Sequence, residues 1–170
     1  MLIRKELPED IFLVDELYKT NPLKQEKGDL LKKLRKSVKY DADLSFVAEL
    51  DGEVIAHILY FPISVSHNRC RNWTLTIGAS VIRKDLKQKG YFTELLKSTL
   101  ELLKTREFKS VLVHGHPLFY HRFGFENCEK YGMILPEEKK KENLEMLALS
   151  LRENALLGME GSIQFTHEFN

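Results

Sequence analysis

The sequence lacks the features that define several whole classes of protein. Its 170 residues include only two cysteines, Cys70 and Cys128, which are too few for a disulfide framework. Lys and Arg number 26 against 25 for Asp and Glu, and the resulting net charge of +1 excludes a globally basic nucleic-acid-binding protein. No apolar run approaches the roughly 20 residues that span a bilayer, and the N-terminus lacks the charged-then-apolar layout of a signal peptide. We therefore expect a cytoplasmic protein that has neither a membrane nor a nucleic acid as a partner.

What the chain does contain is typical of one globular domain. Hydrophobic residues make up 43% of it, enough to bury a sizeable core, and neither an internal repeat nor a Ser/Gly/Pro-rich linker divides it. A length of 170 residues also falls within the usual range for one domain. We expect residues 1–170 to form a single α/β domain, with a mixed, twisted sheet of about seven strands and helices on both faces.

Hydrophobic periodicity outlines the two ends of the chain. Apolar spacing predicts one helix that begins near Leu7 and ends at Asn21-Pro22, and a second helix over residues 28–40. The inward positions predicted for the second helix are Leu30, Leu31, Leu34 and Val38. Two late strands are predicted at residues 144–151 and 162–166, where they close the sheet.

The region between these ends changes to a strand pattern. Residues 44–50 and 54–66 are rich in β-branched and aromatic side chains, and Asp51-Gly52 between them favours a tight antiparallel hairpin. Residues 73–82 are predicted to form the next strand. Gly78 within that strand indicates a bulge or a close approach by another part of the protein.

A strand–loop–helix–strand order follows and predicts two parallel strands. The cationic loop 83–90 is followed by helical spacing over residues 91–105, and residues 109–114 form a short apolar strand. The first amides of a helix have no partners within it, and the helix dipole favours an anion there. Gly90 permits a close backbone approach. The basic side chains around it are Arg83, Lys84, Lys87 and Lys89. The loop is a candidate pyrophosphate site, although an exposed cationic loop without a ligand explains these residues equally well.

Two motifs near the centre of the chain carry a family resemblance. Residues 76–82 read Thr-Ile-Gly-Ala-Ser-Val-Ile and are followed by Lys87-Gln88-Lys89-Gly90-Tyr91-Phe92. Residues 115–125 read Gly-His-Pro-Leu-Phe-Tyr-His-Arg-Phe-Gly-Phe. The first block resembles the Gln/Arg-x-x-Gly-x-Gly/Ala motif that holds the pyrophosphate of acetyl-coenzyme A in the GNAT superfamily of N-acetyltransferases. The second is similar to the Gly-His-Pro-x-x-Tyr-x-x-Phe-Gly-Phe stretch of one bacterial branch, and the order of helices and strands extends the resemblance over nearly the whole chain.

The resemblance implies that acetyl-CoA is the co-substrate. It would lie in a gap where the strand ending near Ile82 splays from the strand ending near His114. The backbone of Val81, Ile82 and Arg83 would pair with the pantetheine arm as an additional strand does. The residues implied at the pyrophosphate are Lys87, Gln88, Lys89, Gly90, Tyr91, Phe92 and Thr93, with the amides from Gln88 to Thr93 facing it.

Two positions depart from the motif. Lys87 stands at the opening Gln/Arg position, where it keeps a cation but loses the planar hydrogen-bonding fork of arginine. Phe92 stands at the final Gly/Ala position, and its side chain either crowds the phosphates or points into the core. Phe92 therefore affects the expected affinity for the coenzyme more than the identity of the coenzyme.

Tyr120 is the catalytic acid that the resemblance implies. Acetyl transfer requires the leaving thiolate to be protonated or stabilised, and a phenol with a pKa near ~10 carries a suitable proton. In the family a tyrosine in the helix after this strand often lies beside the thioester sulfur, and Tyr120 occupies that place. From the residues alone, a half-buried tyrosine whose hydroxyl makes a structural bond is the competing interpretation.

His116 is the candidate base. Many relatives carry a glutamate on the strand before the phosphate loop, but no acid lies between Trp73 and Ile82. His114 and His116 lie near the end of the other strand, and an imidazole titrates in the required range, although either ring also fits a structural role. Together with His121 they lack a recognised metal-ligand spacing, so we expect no metal site.

The function implied is N-acetyltransferase activity by direct transfer from acetyl-CoA to a primary amine of a small molecule or a protein. The alternative is a non-catalytic acyl-CoA binding or sensing module, which Phe92 and the missing acid favour. No pattern in the sequence identifies the acceptor amine. The sequence also does not decide whether the protein forms a homodimer.

Overall fold

The computed structural model describes residues 1–170 and contains nine strands and four α-helices. The strands are β1 (Leu2–Lys5), β2 (Ser45–Leu50), β3 (Glu53–His67), β4 (Cys70–Ile82), β5 (Ser110–Gly115), β6 (Glu126–Asn127), β7 (Met133–Ile134), β8 (Glu145–Ser150) and β9 (Gly161–Gln164). The helices are α1 (Ile11–Lys19), α2 (Gln25–Arg35), α3 (Tyr91–Lys104) and α4 (Pro117–Tyr120). No helix has the length and apolar character that a membrane crossing requires.

The nine strands form a mixed sheet, which confirms the predicted α/β fold class. The sheet has two strands more than the roughly seven predicted. Its shortest strands, β6 and β7, are only 2 residues long each. A segment of that length carries no hydrophobic period, so the sequence gives no signal for it.

The contacts within the chain divide it into two compact units. The first comprises residues 1–61 and 78–102, and the second comprises residues 62–77 and 103–170. β3 and β4 each run from one unit into the other. The cationic loop therefore belongs to the first unit, whereas His116 and Tyr120 belong to the second.

The hairpin predicted at Asp51-Gly52 is confirmed in the first unit. β2 and β3 pair antiparallel, and the two turn residues have φ angles of 52° and 81°, as a primed turn requires. β1 pairs antiparallel with β2 on the other side. Apolar spacing places Ile11, Val14, Leu17 and Tyr18 on one face of α1. The last three are buried, whereas Ile11, at the start of the helix, is exposed.

The second helix departs from its predicted bounds of 28–40. α2 begins three residues earlier and ends at Arg35, and Val38, which was expected to face inward, is fully exposed. Gly28 lies inside the helix, and a Cβ there would stand 2.8 Å from Cβ of Tyr18, so the close packing of α1 against α2 requires glycine at this position. Beyond Arg35 the next two amides bond to carbonyls three residues back, which turns the chain out of the α-helix before Val38.

The first unit contains a buried network of hydrogen-bonded polar side chains that no sequence pattern predicts. Glu6 accepts hydrogen bonds from Arg35 and from the Ser45 hydroxyl. The His57 ring lies between the hydroxyls of Ser45 and Tyr18, each 2.9 Å from one ring nitrogen. Because Ser45 donates to Glu6, it accepts from Nε2–H of His57, and Nδ1 accepts from Tyr18. Burial lowers the pKa of His57, so this ring is neutral at pH 7.

The second unit contains the predicted parallel pair. β4 and β5 run parallel, with Leu75 opposite Val111. β8 pairs antiparallel with both β5 and β6, while β9 pairs antiparallel with β3 and parallel with β7. The strands predicted at 144–151 and 162–166 correspond to β8 and β9. Gly115 ends β5 opposite Glu145, immediately before the segment that carries His116 and Tyr120.

Candidate active site

The loop before α3 leaves backbone amides without partners. After the 3-10 turn Lys84–Leu86, the chain reaches α3 through two residues in the left-handed region, Gln88 with φ 65° and Gly90 with φ 89°. The Glu94 amide donates to the Gly90 carbonyl at 3.0 Å. The amides that donate to no carbonyl of the chain are those of Gln88, Gly90, Tyr91 and Thr93. Amides gathered at the start of a helix form a binding place for an anion.

One amide in this stretch has a partner. The family resemblance places the Lys89 amide among those that face the pyrophosphate, but this amide donates to the Leu86 carbonyl at 3.4 Å. The half-buried residues of the segment are Lys87, Tyr91, Phe92 and Thr93, and the exposed ones are Gln88, Lys89 and Gly90. The segment is thus open to solvent at its turn and packed against the protein where the helix begins.

The uncompensated positive charge of the loop comes from its lysines rather than from Arg83. The Arg83 guanidinium pairs with Glu53 at 2.6 Å and with Asp85 at 2.9 Å, so its charge is balanced within the protein. Lys87 and Lys89 form no ion pair. The sequence predicts that Arg83 adds to the positive charge of the lysines, because its partner Glu53 is distant along the chain and only the fold brings the two side chains together.

The three residues at the end of β4 differ in how their backbone groups are used. The Arg83 amide donates to the Ile55 carbonyl at 2.8 Å, and the Leu86 amide donates to the Arg83 carbonyl at 3.0 Å. In an extended strand the two backbone groups of one residue point to one side, and those of the next residue point to the other. Ile82 therefore directs its groups away from β3, whereas Val81 directs its groups toward it; the Arg83 amide also points to β3, but the Arg83 carbonyl is engaged by the turn that follows.

Tyr120 ends the one-turn helix α4 with a buried ring and an unpaired hydroxyl. The ring packs edge-on against Phe119 and Phe125, with ring centroids 5.0 Å and 5.5 Å away. Its Cε2 atom lies 2.3 Å from where a Cβ of Gly115 would stand, so only glycine at the end of β5 leaves room for this ring. Burial raises the pKa of Tyr120 to about 12, and the hydroxyl keeps its proton at neutral pH.

The Tyr120 hydroxyl makes no hydrogen bond within the chain. This finding weighs against the competing interpretation, in which the hydroxyl makes a structural bond. No sequence pattern indicates the role of Gly115, because the close approach depends on how α4 folds back over the end of the strand.

His116 lies at the start of α4 and is exposed. Its Nδ1 atom is 3.0 Å from the Asn143 carbonyl, and since a carbonyl only accepts, this contact places the ring proton on Nδ1. Nε2 of the neutral ring therefore keeps a lone pair that can accept a proton. His114 lies half-buried within β5.

The other nucleophilic and metal-ligating side chains do not form a site. No three His, Cys, Asp or Glu side chains come together as potential metal ligands. Burial raises the pKa of the Cys128 thiol to about 11, which removes it as a nucleophile at neutral pH. Cys70 is exposed and free.

Comparison with known protein sequences gives the family. The sequence profile of the acetyltransferase (GNAT) family matches residues 10–125, which is more than half of the chain. Over 173 residues the chain is 26% identical to the uncharacterized N-acetyltransferase YhbS of Escherichia coli strain K12, with 100% of this chain and 99% of that protein covered.

Two solved structures are similar in fold. A GNAT family N-acetyltransferase (YhbS) from Escherichia coli in complex with CoA superposes with a TM-score of 0.88 at 24% identity, covering 99% of this chain and 91% of that one. A GNAT family acetyltransferase from Brucella melitensis in complex with acetyl-CoA gives a TM-score of 0.76 at 20% identity, covering 99% and 97% of the two chains.

Proposed function

The chain belongs to the acetyltransferase (GNAT) family, and we propose that it transfers the acetyl group of acetyl-CoA directly to a primary amine of a small molecule or a protein. The observation that carries this proposal is the group of unpartnered amides in the loop and the first turn of α3, next to lysines that have no ion pair. A diphosphate supplies acceptors for the amides and charge for the lysines. That two proteins of similar fold are complexes with CoA or acetyl-CoA supports the same coenzyme here.

The binding residues follow from which backbone groups are available. We assign the diphosphate to the amides of Gly90, Tyr91 and Thr93 together with the Lys87 ammonium. The pantetheine arm pairs with the backbone of Ile82, which points away from β3, rather than with that of Arg83, which is already engaged. This assignment retains only some of the coenzyme-binding residues that the family motif implies.

Tyr120 is proposed to stabilise the sulfur that leaves. When the amine nitrogen attacks the thioester carbonyl and the carbon–sulfur bond breaks, the sulfur gains the electron pair and the nitrogen must lose a proton. Since a thiol has a pKa of about 8.5, complete transfer from a phenol with a pKa of about 12 is uphill by roughly 5 kcal/mol. Tyr120 therefore acts chiefly by donating a hydrogen bond to the sulfur, and any proton it gives up is replaced from solvent.

His116 is proposed as the base that takes the proton from the amine. Nε2 accepts this proton directly or through one water, while Nδ1–H keeps its hydrogen bond to the Asn143 carbonyl, so the ring need not move. His114 is the alternative base. His116→Gln and His114→Gln separate the two, because only the variant of the true base loses the acidic limb of the pH–rate profile.

A non-catalytic acyl-CoA binding or sensing module is the second candidate function. What favours it is that the stretch from Trp73 to Ile82 contains no acidic residue, where many relatives carry a base, and that Phe92 replaces a small residue in the phosphate motif. Such a module would bind the coenzyme without catalysing acetyl transfer.

Thiol release from acetyl-CoA decides between the two functions. The assay offers a panel of primary amines, small polyamines and peptides with free N-termini or lysines, and mass spectrometry identifies the N-acetylated product. The enzyme proposal predicts thiol release that depends on one class of amine and matches the product one to one. Binding of CoA without amine-dependent thiol release on any member supports the module instead.

A further inference from the structure

A cavity of about 530 Å³ lies in the second unit, at the start of β4 and β5. Its walls come mainly from the first residues of β4, the connection between α3 and β5, and the loop between β8 and β9. Among the large apolar side chains that line it are Trp73, Phe108 and Leu157, and Trp73 and Leu157 are 51% and 68% exposed. A mostly apolar cavity of this size with a few polar groups is typical of a small-molecule site.

Hydrogen bonds hold the walls of this cavity together. The Thr74 hydroxyl donates to the Ser110 carbonyl at 3.0 Å and thereby joins β4 to β5. The Leu151 amide donates to the Lys109 carbonyl at 2.8 Å, and the Ser110 hydroxyl donates to Sδ of Met159 at 3.7 Å, so the loop between β8 and β9 is fixed to the same place at both of its ends. Because the walls are held without a ligand, binding does not have to order them first.

The charged side chains of the cavity have an excess of positive charge. Arg71 and Lys109 are the cations that line it, and Glu107 is the only carboxylate. Neither Arg71 nor Lys109 forms an ion pair within the chain. The guanidinium carbon of Arg71 lies 5.7 Å from the centre of the Trp73 ring, so a cation and an aromatic surface stand side by side. This arrangement is complementary to a ligand that carries an anion next to an apolar ring.

We propose that this cavity is a binding site for a small aromatic carboxylate. The ring of the ligand packs against Trp73 and Leu157, and its carboxylate pairs with the Arg71 guanidinium, whose planar fork matches two carboxylate oxygens. The cavity lies at the start of β5, whereas Tyr120 follows the end of that strand, and a strand of 6 residues spans about 20 Å. The site is therefore separate from the residues proposed for acetyl transfer, and the proposal does not depend on the proposed function.

Trp73 is the only tryptophan of the chain, so tryptophan fluorescence reports directly on this cavity. The test titrates the purified wild-type protein with phenylacetate and follows both the tryptophan emission and the heat of binding. We expect a saturable change with a Kd below about 1 mM. Phenylethanol lacks the charge and acetate lacks the ring, so each should bind at least about tenfold more weakly. Equal affinity for phenylacetate and phenylethanol, or no saturable change up to about 10 mM phenylacetate, would overturn the proposal.

Variants test the pairing with Arg71. Arg71→Gln should raise the Kd for phenylacetate at least about tenfold, and since this side chain is exposed, the substitution should leave the fold intact. Arg69→Gln makes the same change of charge at an exposed position that does not line the cavity and should leave the Kd unchanged. An equal loss of affinity in the two variants would refute the pairing. Dilution of the ligand-free protein should leave the emission of Trp73 unchanged, and a change would identify the cavity as a contact between copies of this chain instead.

Discussion

The substitution Gly115→Ala tests whether the end of β5 is built to hold the Tyr120 ring. The added Cβ would stand 2.3 Å from Cε2 of Tyr120, whereas two carbon atoms prefer a separation of about 3.5–4.0 Å. The ring must therefore move by more than about 1 Å, a displacement that can cost a reaction about 100-fold in rate. We expect kcat to fall by about that factor, with little change in the KM for acetyl-CoA, since Gly115 belongs to none of the segments assigned to the diphosphate.

The assay is thiol release with the amine that the wild type acetylates best. The matched control is Gly115→Ala in a Tyr120→Ala background, where the ring is absent and the new methyl group has space. We expect the glycine substitution to have almost no further effect on kcat there, so that the two effects are strongly non-additive. An equal loss in both backgrounds, or a folded single variant with wild-type kcat, would refute the positioning role of Gly115.

Three further predictions follow from the geometry. Tyr120→Phe should lower kcat at least about tenfold without weakening CoA binding, and because the pKa of Tyr120 is raised to about 12, the wild-type rate should show no loss from phenol ionisation up to about pH 10. Iodoacetamide should label the exposed Cys70 and spare Cys128, and mass spectrometry that finds Cys128 labelled in the folded protein contradicts its burial. The bidentate bond from Arg4 holds the pKa of Asp10 below its usual value, so this pair stabilises the fold above the unfolded pKa of about 3.9 and loses that effect as the pH falls through the lower folded value. Thermal melting of Asp10→Asn should accordingly differ most from the wild type above about pH 5, and an equal difference at pH 2 would disprove the linkage.

Features set by neighbouring residues were predictable from the sequence. The Asp51-Gly52 dipeptide fixes the hairpin because its two positive φ angles are a local requirement, and the structure has them at 52° and 81°. The parallel pairing of β4 with β5 follows from element order alone. The glycine before α3 likewise marked the point where the loop leaves amides free.

Features that depend on contacts distant in the sequence were not predictable. Gly28 is typical of a helix boundary, but it lies within α2, where the residue is glycine because the Tyr18 side chain occupies the space of a Cβ. The charge of Arg83 is balanced by Glu53, which no local pattern connects to the loop. The role of Gly115 depends on a ring five positions later folding back over the strand end, and the raised pKa of that ring depends on its burial.

The most direct measurement of the central claim is calorimetric titration of the wild-type protein with CoA and, in parallel, with pantetheine. Both ligands carry the thiol arm, but only CoA carries the nucleotide diphosphate. The unpartnered amides at the start of α3 and the neighbouring lysines predict that CoA binds and that pantetheine binds at least about 100-fold more weakly. Equal affinity for the two ligands, or no binding of CoA, would contradict the claim that this loop grips the diphosphate.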